Sequence, residues 1–207
     1  ALGTAPDTAT SMLLNVAEAL WGIEAIAEAK SVVTTYQERS QTSSDPAGKW
    51  RAKALSGEPV SVPEILNELI ESDAACSIHT VARSMSVTGG RQQGYLLLEG
   101  AAPKTDCIDI EVTMARWFAE DKRMSEAQEL TGVLMAHAPD NDEVRSLRAQ
   151  SLMANSEFKE AAKLLEAAAW KDPDSGLLSS LIGAYQRIED PAWQDQKLAE
   201  LEARATR

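Results

Sequence analysis

Apolar residues along this chain return every three or four positions, the spacing of one helix face, and almost nowhere alternate singly as a half-buried strand requires. Ile65, Leu66, Leu69 and Ile70 keep that spacing, as do Ile78, Val81, Ala82 and Met85, and later Phe158, Ala161, Leu165 and Ala168. Each run predicts an amphipathic helix. Ser61-Val-Pro-Glu64 reads as a capping box with proline just inside the helix that follows. Gly89-Gly90 joins the run ending at Met85 to a second one over Tyr95 to Leu98, so Asp73 to Pro103 reads as a helix pair. Gln41 to Gly48, polar and containing Asp45-Pro46, is the predicted loop. The first forty residues admit two readings. Ala17 and Ala29, twelve apart, with Leu20, Ile26, Val33 and Tyr36 around them, fit a helix pair, the reading adopted here. Leu13, Val16, Leu20, Ile23 and Ala27 also fit a single long helix, which stays open.

A longer period lies over the helical one in the second half. Ala115, Ala149 and Gly183 are 34 apart, as are Ala127 and Ala161, Leu130 and Leu164, and Pro139 and Pro173. Repetition at that length marks stacked helix–turn–helix units, none of which buries its apolar face alone. In Asp142 to Ser175, small Ala149 and Ala161 let two helices approach where they cross, and Leu152, Phe158, Leu165 and Ala168 fill the space around them. The preceding unit uses Phe118, Met124 and Leu134 in the matching places. Pro139 and Pro173 end the second helices, since proline lacks the N–H and clashes with the turn before it. After Leu181, Gly183 and Tyr185 the register slips, and Asp190-Pro191 opens a mostly polar helix that reads as a terminal cap.

The pattern over Ile108 to Ser175 resembles the tetratricopeptide repeat, with small residues at positions eight, twenty and twenty-seven, a large apolar residue at eleven and proline at thirty-two. It departs at Arg145 and Arg148, where the family carries bulky apolar residues, and at Thr131. The resemblance implies an all-α fold, an α–α superhelix built as a right-handed solenoid of antiparallel helix pairs. The expected organisation is one domain over 1–207: divergent repeats over 1–107, two clear repeats over 108–175, and a degenerate repeat with a capping helix over 176–207. It also implies a groove lined by first helices. Carried over by position, the lining is Asp109, Val112, Arg116, Ala119 and Glu120, then Glu143, Ser146, Gln150, Met153 and Ala154, then Leu177, Ser180, Ala184, Arg187 and Ile188. Val112, Arg116, Ser146 and Gln150 stand where repeats that clamp chaperone C-termini carry Lys and Asn, so that role is rejected. Arg116 and Arg187 are expected to anchor acidic groups of a bound peptide, with Met153 as an adaptable apolar contact.

Charge narrows the partners. The net charge of −12 and pI near 4.7 argue against nucleic acid and anionic membranes. No segment approaches the roughly 20 apolar residues that would cross a bilayer. The chain begins with Ala, which suggests that a signal peptide, an anchor, another domain or an expression leader was removed. Cys76 and Cys107, both at starts of first helices and 31 residues apart, suit a bridge between neighbouring repeats in an oxidising compartment. Two buried thiols in a cytosolic protein are the alternative. The expected location is periplasmic or otherwise exported, with cytoplasmic as the second reading.

Catalytic chemistry finds little footing. His79 and His137 lack partners at ligand spacing, and His137 closes a helix before Pro139, where a histidine meets free carbonyls. Cys76 and His79 share a helix face, but no second such pair exists. Gly89-Gly90-Arg91 lacks the spaced glycines of a phosphate loop, and the acidic run from Glu64 to Asp73 lacks calcium-loop spacing. No catalytic residue, metal or cofactor is assigned. The expected function is a non-enzymatic scaffold or assembly factor that binds another protein or peptide segment, in an envelope, secretion or cytochrome-maturation complex. The alternative is an accessory domain or subunit of an enzyme whose catalytic part lies outside this chain. A homo-oligomer using Trp21, Trp50, Trp117, Trp170 and Trp193 also stays open.

Overall fold

The computed structural model describes residues 8–41, 45–171 and 176–205. Among them every regular element is helical. They are α1 (Thr8–Gly22), α2 (Ile26–Arg39), α3 (Pro46–Ser56), α4 (Val62–Glu71), α5 (Ile78–Val87) and α6 (Arg91–Ala101). Then come α7 (Ile108–Glu120), α8 (Met124–His137), α9 (Asp142–Ala154), α10 (Phe158–Lys171), α11 (Gly176–Tyr185) and α12 (Pro191–Ala205). The backbone gathers into two compact units, 1–113 and 114–207, divided inside α7.

In the first unit the opening segment is a helix pair and not one long helix. Glu24 adopts a left-handed φ of 61°, and the N–H groups of Glu24 and Ala25 close the turn on the carbonyls of Trp21 and Leu20 at 3.0 and 2.9 Å. Ala17 and Ala29 are fully buried, as small crossing residues must be. Leu14, Ala17, Val33 and Tyr36 share one core with Ala52 and Leu55 of α3. The predicted loop over Gln41 to Gly48 therefore ends too late, because Asp45-Pro46 starts a helix. The Asp45 carboxylate accepts the Gly48 N–H at 2.8 Å, with proline in the first turn, and Trp50, Ala52, Ala54 and Leu55 are buried. Tyr36 donates its hydroxyl to Asp45 at 3.2 Å, directly above Gly48, where a Cβ would collide with it. Burial, and then the Asp45 charge, push the Tyr36 phenol up to about 12.

The capping box at Ser61 does not form. Ser61 has the extended backbone of a cap, but its side chain makes no cap hydrogen bond. Ile65, Leu66 and Leu69 still bury one face of α4. α5 and α6 pair through Gly89, whose φ of 91° only glycine adopts at ease. Ile78, Val81, Ala82 and Met85 are buried on one side, and Tyr95, Leu97 and Leu98 on the other. Cys76 and Cys107 are joined in a disulfide with Cα atoms 5.3 Å apart. It ties the residue two before α5 to the residue before α7.

In the second unit the 34-residue register holds through α10 and slips in α11, where Gly183 is half-buried with open space beside it and Ala184 takes the fully buried place. Ala115, Ala127, Ala149 and Ala161 are all at most 1 % exposed, and α8, α9, α10 and α11 pack in succession. Leu152, Ala162, Leu165, Leu177 and Leu181 fill the core around Ala149 and Ala161. α8 ends at His137, two residues before Pro139; Pro173 lies outside the described residues, and Ala168 and Trp170 outside the described side chains. The departures from the repeat pattern have local explanations. Arg148 donates to the Gln128 carbonyl at 2.9 Å, Arg145 pairs with Asp140 and Asp142, and buried Thr131 donates to the Ala127 carbonyl at 2.7 Å. Arg148 thus bonds the neighbouring helix α8, while Arg145 bonds the start of its own helix and the turn before it, and Thr131 bonds its own helix. The cap at Asp190 forms, accepting the Trp193 N–H at 3.2 Å, and Trp193 sets its ring edge-on to Tyr185 at 5.1 Å. Trp50 and Trp117 are buried, and Trp21 and Trp193 are half-buried. Because Ala161 is fully buried in the core between the helices, Ala161→Leu is expected to cost about 1–3 kcal/mol by overpacking. Urea unfolding measures it, and a loss near zero would show that the crossing lies elsewhere.

Candidate functional site

A helix places residues i, i+3, i+4 and i+7 on one side. Arg116, Ala119 and Glu120 on α7 follow that rule, and so do Glu143, Ser146, Leu147 and Gln150 on α9. With Met124 at the start of α8, these eight residues line a cleft of about 470 Å³ in the second unit. Asn141 aims α9 at it, since its side chain accepts the N–H groups of Glu143 and Val144 at 3.0 and 3.1 Å. Leu147 is 5 % exposed and forms floor, Met124 and Ala119 are half-buried, and Gln150 is exposed and donates to Ser146 at 3.4 Å. The Arg116 guanidinium is paired with Glu143 across the cleft. Around that pair the lining carries two carboxylates and one cation, over an apolar floor.

Arg116, Ala119, Glu120, Glu143, Ser146 and Gln150 thus come together as the groove positions require. Others do not join them. Val112 is 3 % exposed and faces the interior, because α7 buries Ile110, Val112, Thr113, Ala115, Trp117 and Phe118, far more than a single stripe. Asp109 is exposed but lies in the part of α7 that belongs to the first unit. Met153 is half-buried against the core around Ala149, and Ala154 is exposed beside it at the helix end. In the third repeat Leu177, Ala184 and Ile188 are core residues at 5, 0 and 3 % exposure, since α11 packs on both α9 and α10 and spends its apolar faces there. Ser180 is half-buried. Arg187 is exposed, sits 5.9 Å from the Phe158 ring centre and borders a different hollow beside the Lys159–Asp190 pair. That pair holds the Asp190 carboxyl below its ordinary value, first through the hydrogen bond from Lys159 and then through the Trp193 N–H.

Met124 and Leu147 also line the cleft, outside the groove positions that the repeat pattern supplies. The repeat pattern assigns Met124 to packing and gives position six no groove role, although Leu147 follows Glu143 by four and could be placed on that face by spacing alone. The Cys76 sulfur is bonded to Cys107, which leaves no thiolate beside His79; the His79 Nδ1 lies 2.5 Å from the Cys76 carbonyl oxygen. Among the described residues no cluster of three His, Cys, Asp or Glu side chains is arranged to hold a metal, and no helix is long and apolar enough to cross a membrane.

Residues 118–186 match the family model described as tetratricopeptide repeat. No curated protein and no solved structure matches the chain.

Proposed function

We propose, on the premise that residues 118–186 are tetratricopeptide-repeat-like and that such repeats generally mediate protein–protein interaction, that this chain is a non-enzymatic scaffold or assembly factor. Its cleft between α7 and α9 takes a segment of a partner protein. The observation that carries this reading is the convergence of six groove positions, Ala119 among them, with Met124 and Leu147 around one cleft. The chemistry of the segment follows from charge. The lining holds two carboxylates, Glu120 and Glu143, and one guanidinium, that of Arg116, which pairs with Glu143, in a chain of net charge −12. A basic amphipathic segment satisfies both features, with apolar residues on the floor and Lys or Arg toward Glu120 and Glu143. This reverses the expectation that Arg116 anchors an acidic group.

Two synthetic amphipathic peptides, identical except that every Lys of one is Glu in the other, test it by fluorescence anisotropy. The basic peptide binds the wild type, and Arg116→Ala tightens it about threefold by releasing Glu143, as expected for a half-exposed pair. Ala119→Arg, which fills the cleft, abolishes binding. Preference for the acidic peptide, with weakening by Arg116→Ala, would overturn the charge assignment; binding that ignores Ala119→Arg would overturn the cleft itself.

The same proposal sets the protein in an exported, periplasm-like compartment, within an envelope, secretion or cytochrome-maturation complex. The Cys76–Cys107 bridge supports the oxidising location, because cytosolic thiols are held reduced. Thiol counting on unreduced protein from its own cell tests it, and two free thiols per chain would refute it.

A further inference from the structure

Of the two bridged cysteines, one is open to solvent and the other is not. Cys76 is exposed, in the one-turn 3-10 helix Ala75–Ser77 that buries none of its residues, and Glu71, Ser72 and Asp73 before it are exposed as well. Cys107 is 9 % exposed. It sits where α7 begins, its carbonyl accepting the N–H of the fully buried Ile110 at 3.2 Å. Thiol–disulfide exchange is the attack of a thiolate on one sulfur of a bridge, and its rate at each sulfur follows how well the attacking group reaches it. The two ends of this bridge therefore differ in their chemistry.

We propose that the Cys76–Cys107 pair exchanges with a low-molecular-weight thiol in the folded protein, with Cys76 as the sulfur that forms the mixed disulfide and Cys107 as the resolving cysteine. The external thiolate attacks Cys76 Sγ, the bond to Cys107 breaks, and its electron pair leaves on Cys107 Sγ, which takes a proton from water. One disulfide has replaced another, so nothing is yet reduced. From there the reaction has two exits. The Cys107 thiolate attacks Cys76 Sγ and expels the small thiol, which restores the bridge, or a second external thiolate attacks the outer sulfur, which releases the small-molecule disulfide and leaves both cysteines reduced. The fold favours the first exit, because it sets the two Cα atoms 5.3 Å apart and so keeps the resolving sulfur within reach. Two local fields act on the leaving sulfur. The start of α7 favours a thiolate there, while the Asp109 carboxylate, 4.0 Å from Cys107 Sγ, opposes it and acts as a brake. All of this depends on the bridge and not on the compartment that holds it.

Reduced glutathione is the probe, added in large excess to the oxidised wild type under native conditions and quenched with acid at short times. The chain has no other cysteine to confuse the assignment. Peptide mass spectrometry of singly modified chains is expected to place glutathione on Cys76 in at least about tenfold excess over Cys107. In urea, where both sulfurs are exposed, the two adducts should approach equal amounts. Asp109→Asn, at an exposed position, should speed the native reaction about threefold without moving the adduct, because a charge at that distance is worth about 1 kcal/mol in water. Glutathione on Cys107 in the native protein, equal adducts on both sulfurs, or a bridge that glutathione leaves intact would each overturn the proposal. A preference that persists in urea would show that burial is not its cause, and an unchanged rate in Asp109→Asn would remove the brake.

Discussion

Removing the bridge, by Cys76→Ala with Cys107→Ala, is expected to lower stability by about 3–4 kcal/mol, the chain-entropy value for a loop of this length. The bond spans 31 residues and encloses all of α5 and α6. Without it, the unfolded chain regains the freedom of that loop, while the folded state keeps its core contacts at Ile78, Val81, Met85, Leu97 and Leu98. The loss therefore falls on the first unit. Amide hydrogen exchange in α5 and α6 reads it directly, as a fall in protection of about two to three powers of ten. Exchange that changes by less than tenfold would show that packing alone holds these helices, and reduction of the wild type must reproduce whatever the double variant shows.

How well the sequence reveals such features depends on how local their causes are. Helix faces and the 34-residue register rest on spacing within one or two helices, and Ala17, Ala29, Ala115, Ala127, Ala149 and Ala161 are all buried as spacing requires. Turn chemistry is local too, but the same dipeptide does not announce its role equally in both places. Asp190-Pro191 reads as a helix start and Asp45-Pro46 as a loop, although both carboxylates cap a helix in the same manner. What differs is the flank: α3 follows with Gly48, Lys49, Arg51 and Lys53, which dilute its apolar stripe, while the close approach of Tyr36 that makes glycine necessary is invisible from one segment. Ser61 shows the converse. The motif is present, yet no side-chain cap bond forms.

The cleft was legible where the repeat register is regular and lost where it is not. Residues of α7 and α9 that follow the register, from Arg116 to Gln150, assemble as positions predict. Val112, Leu177, Ala184 and Ile188 fail because a position number says which side of a helix a residue takes, not whether another helix already covers that side. Electrostatic roles were less legible still. That Arg116 is bound to Glu143 depends on residues 27 apart on different helices, and no local pattern announces it.

The same limit hides a largely buried ion pair in the first unit, and with it the last large effect. Glu18 is the one acidic residue of an otherwise uncharged α1, and sequence gives no hint of a partner. In the fold its carboxylate accepts Arg51 of α3 at 2.7 Å and the Ser84 hydroxyl of α5 at 2.5 Å, while Arg51 also donates to Asn15 at 2.8 Å. The Glu18 and Arg51 side chains are only 11 and 12 % exposed, so this pair is not a weak surface bridge. Glu18→Leu would leave the Arg51 guanidinium largely buried without its counter-charge, with Arg83 at 3.9 Å from the same carboxylate adding a second cation. The expected loss is on the order of 3 kcal/mol. Glu18→Leu together with Arg51→Met removes both charges and fills similar volume, and should recover most of that loss, because a buried pair repays little beyond its own desolvation. Urea unfolding of the wild type, both single variants and the double variant closes the cycle. If the double variant is as unstable as the sum of the two singles, the charges act independently, and the three-helix junction of α1, α3 and α5 is held by its apolar contacts alone.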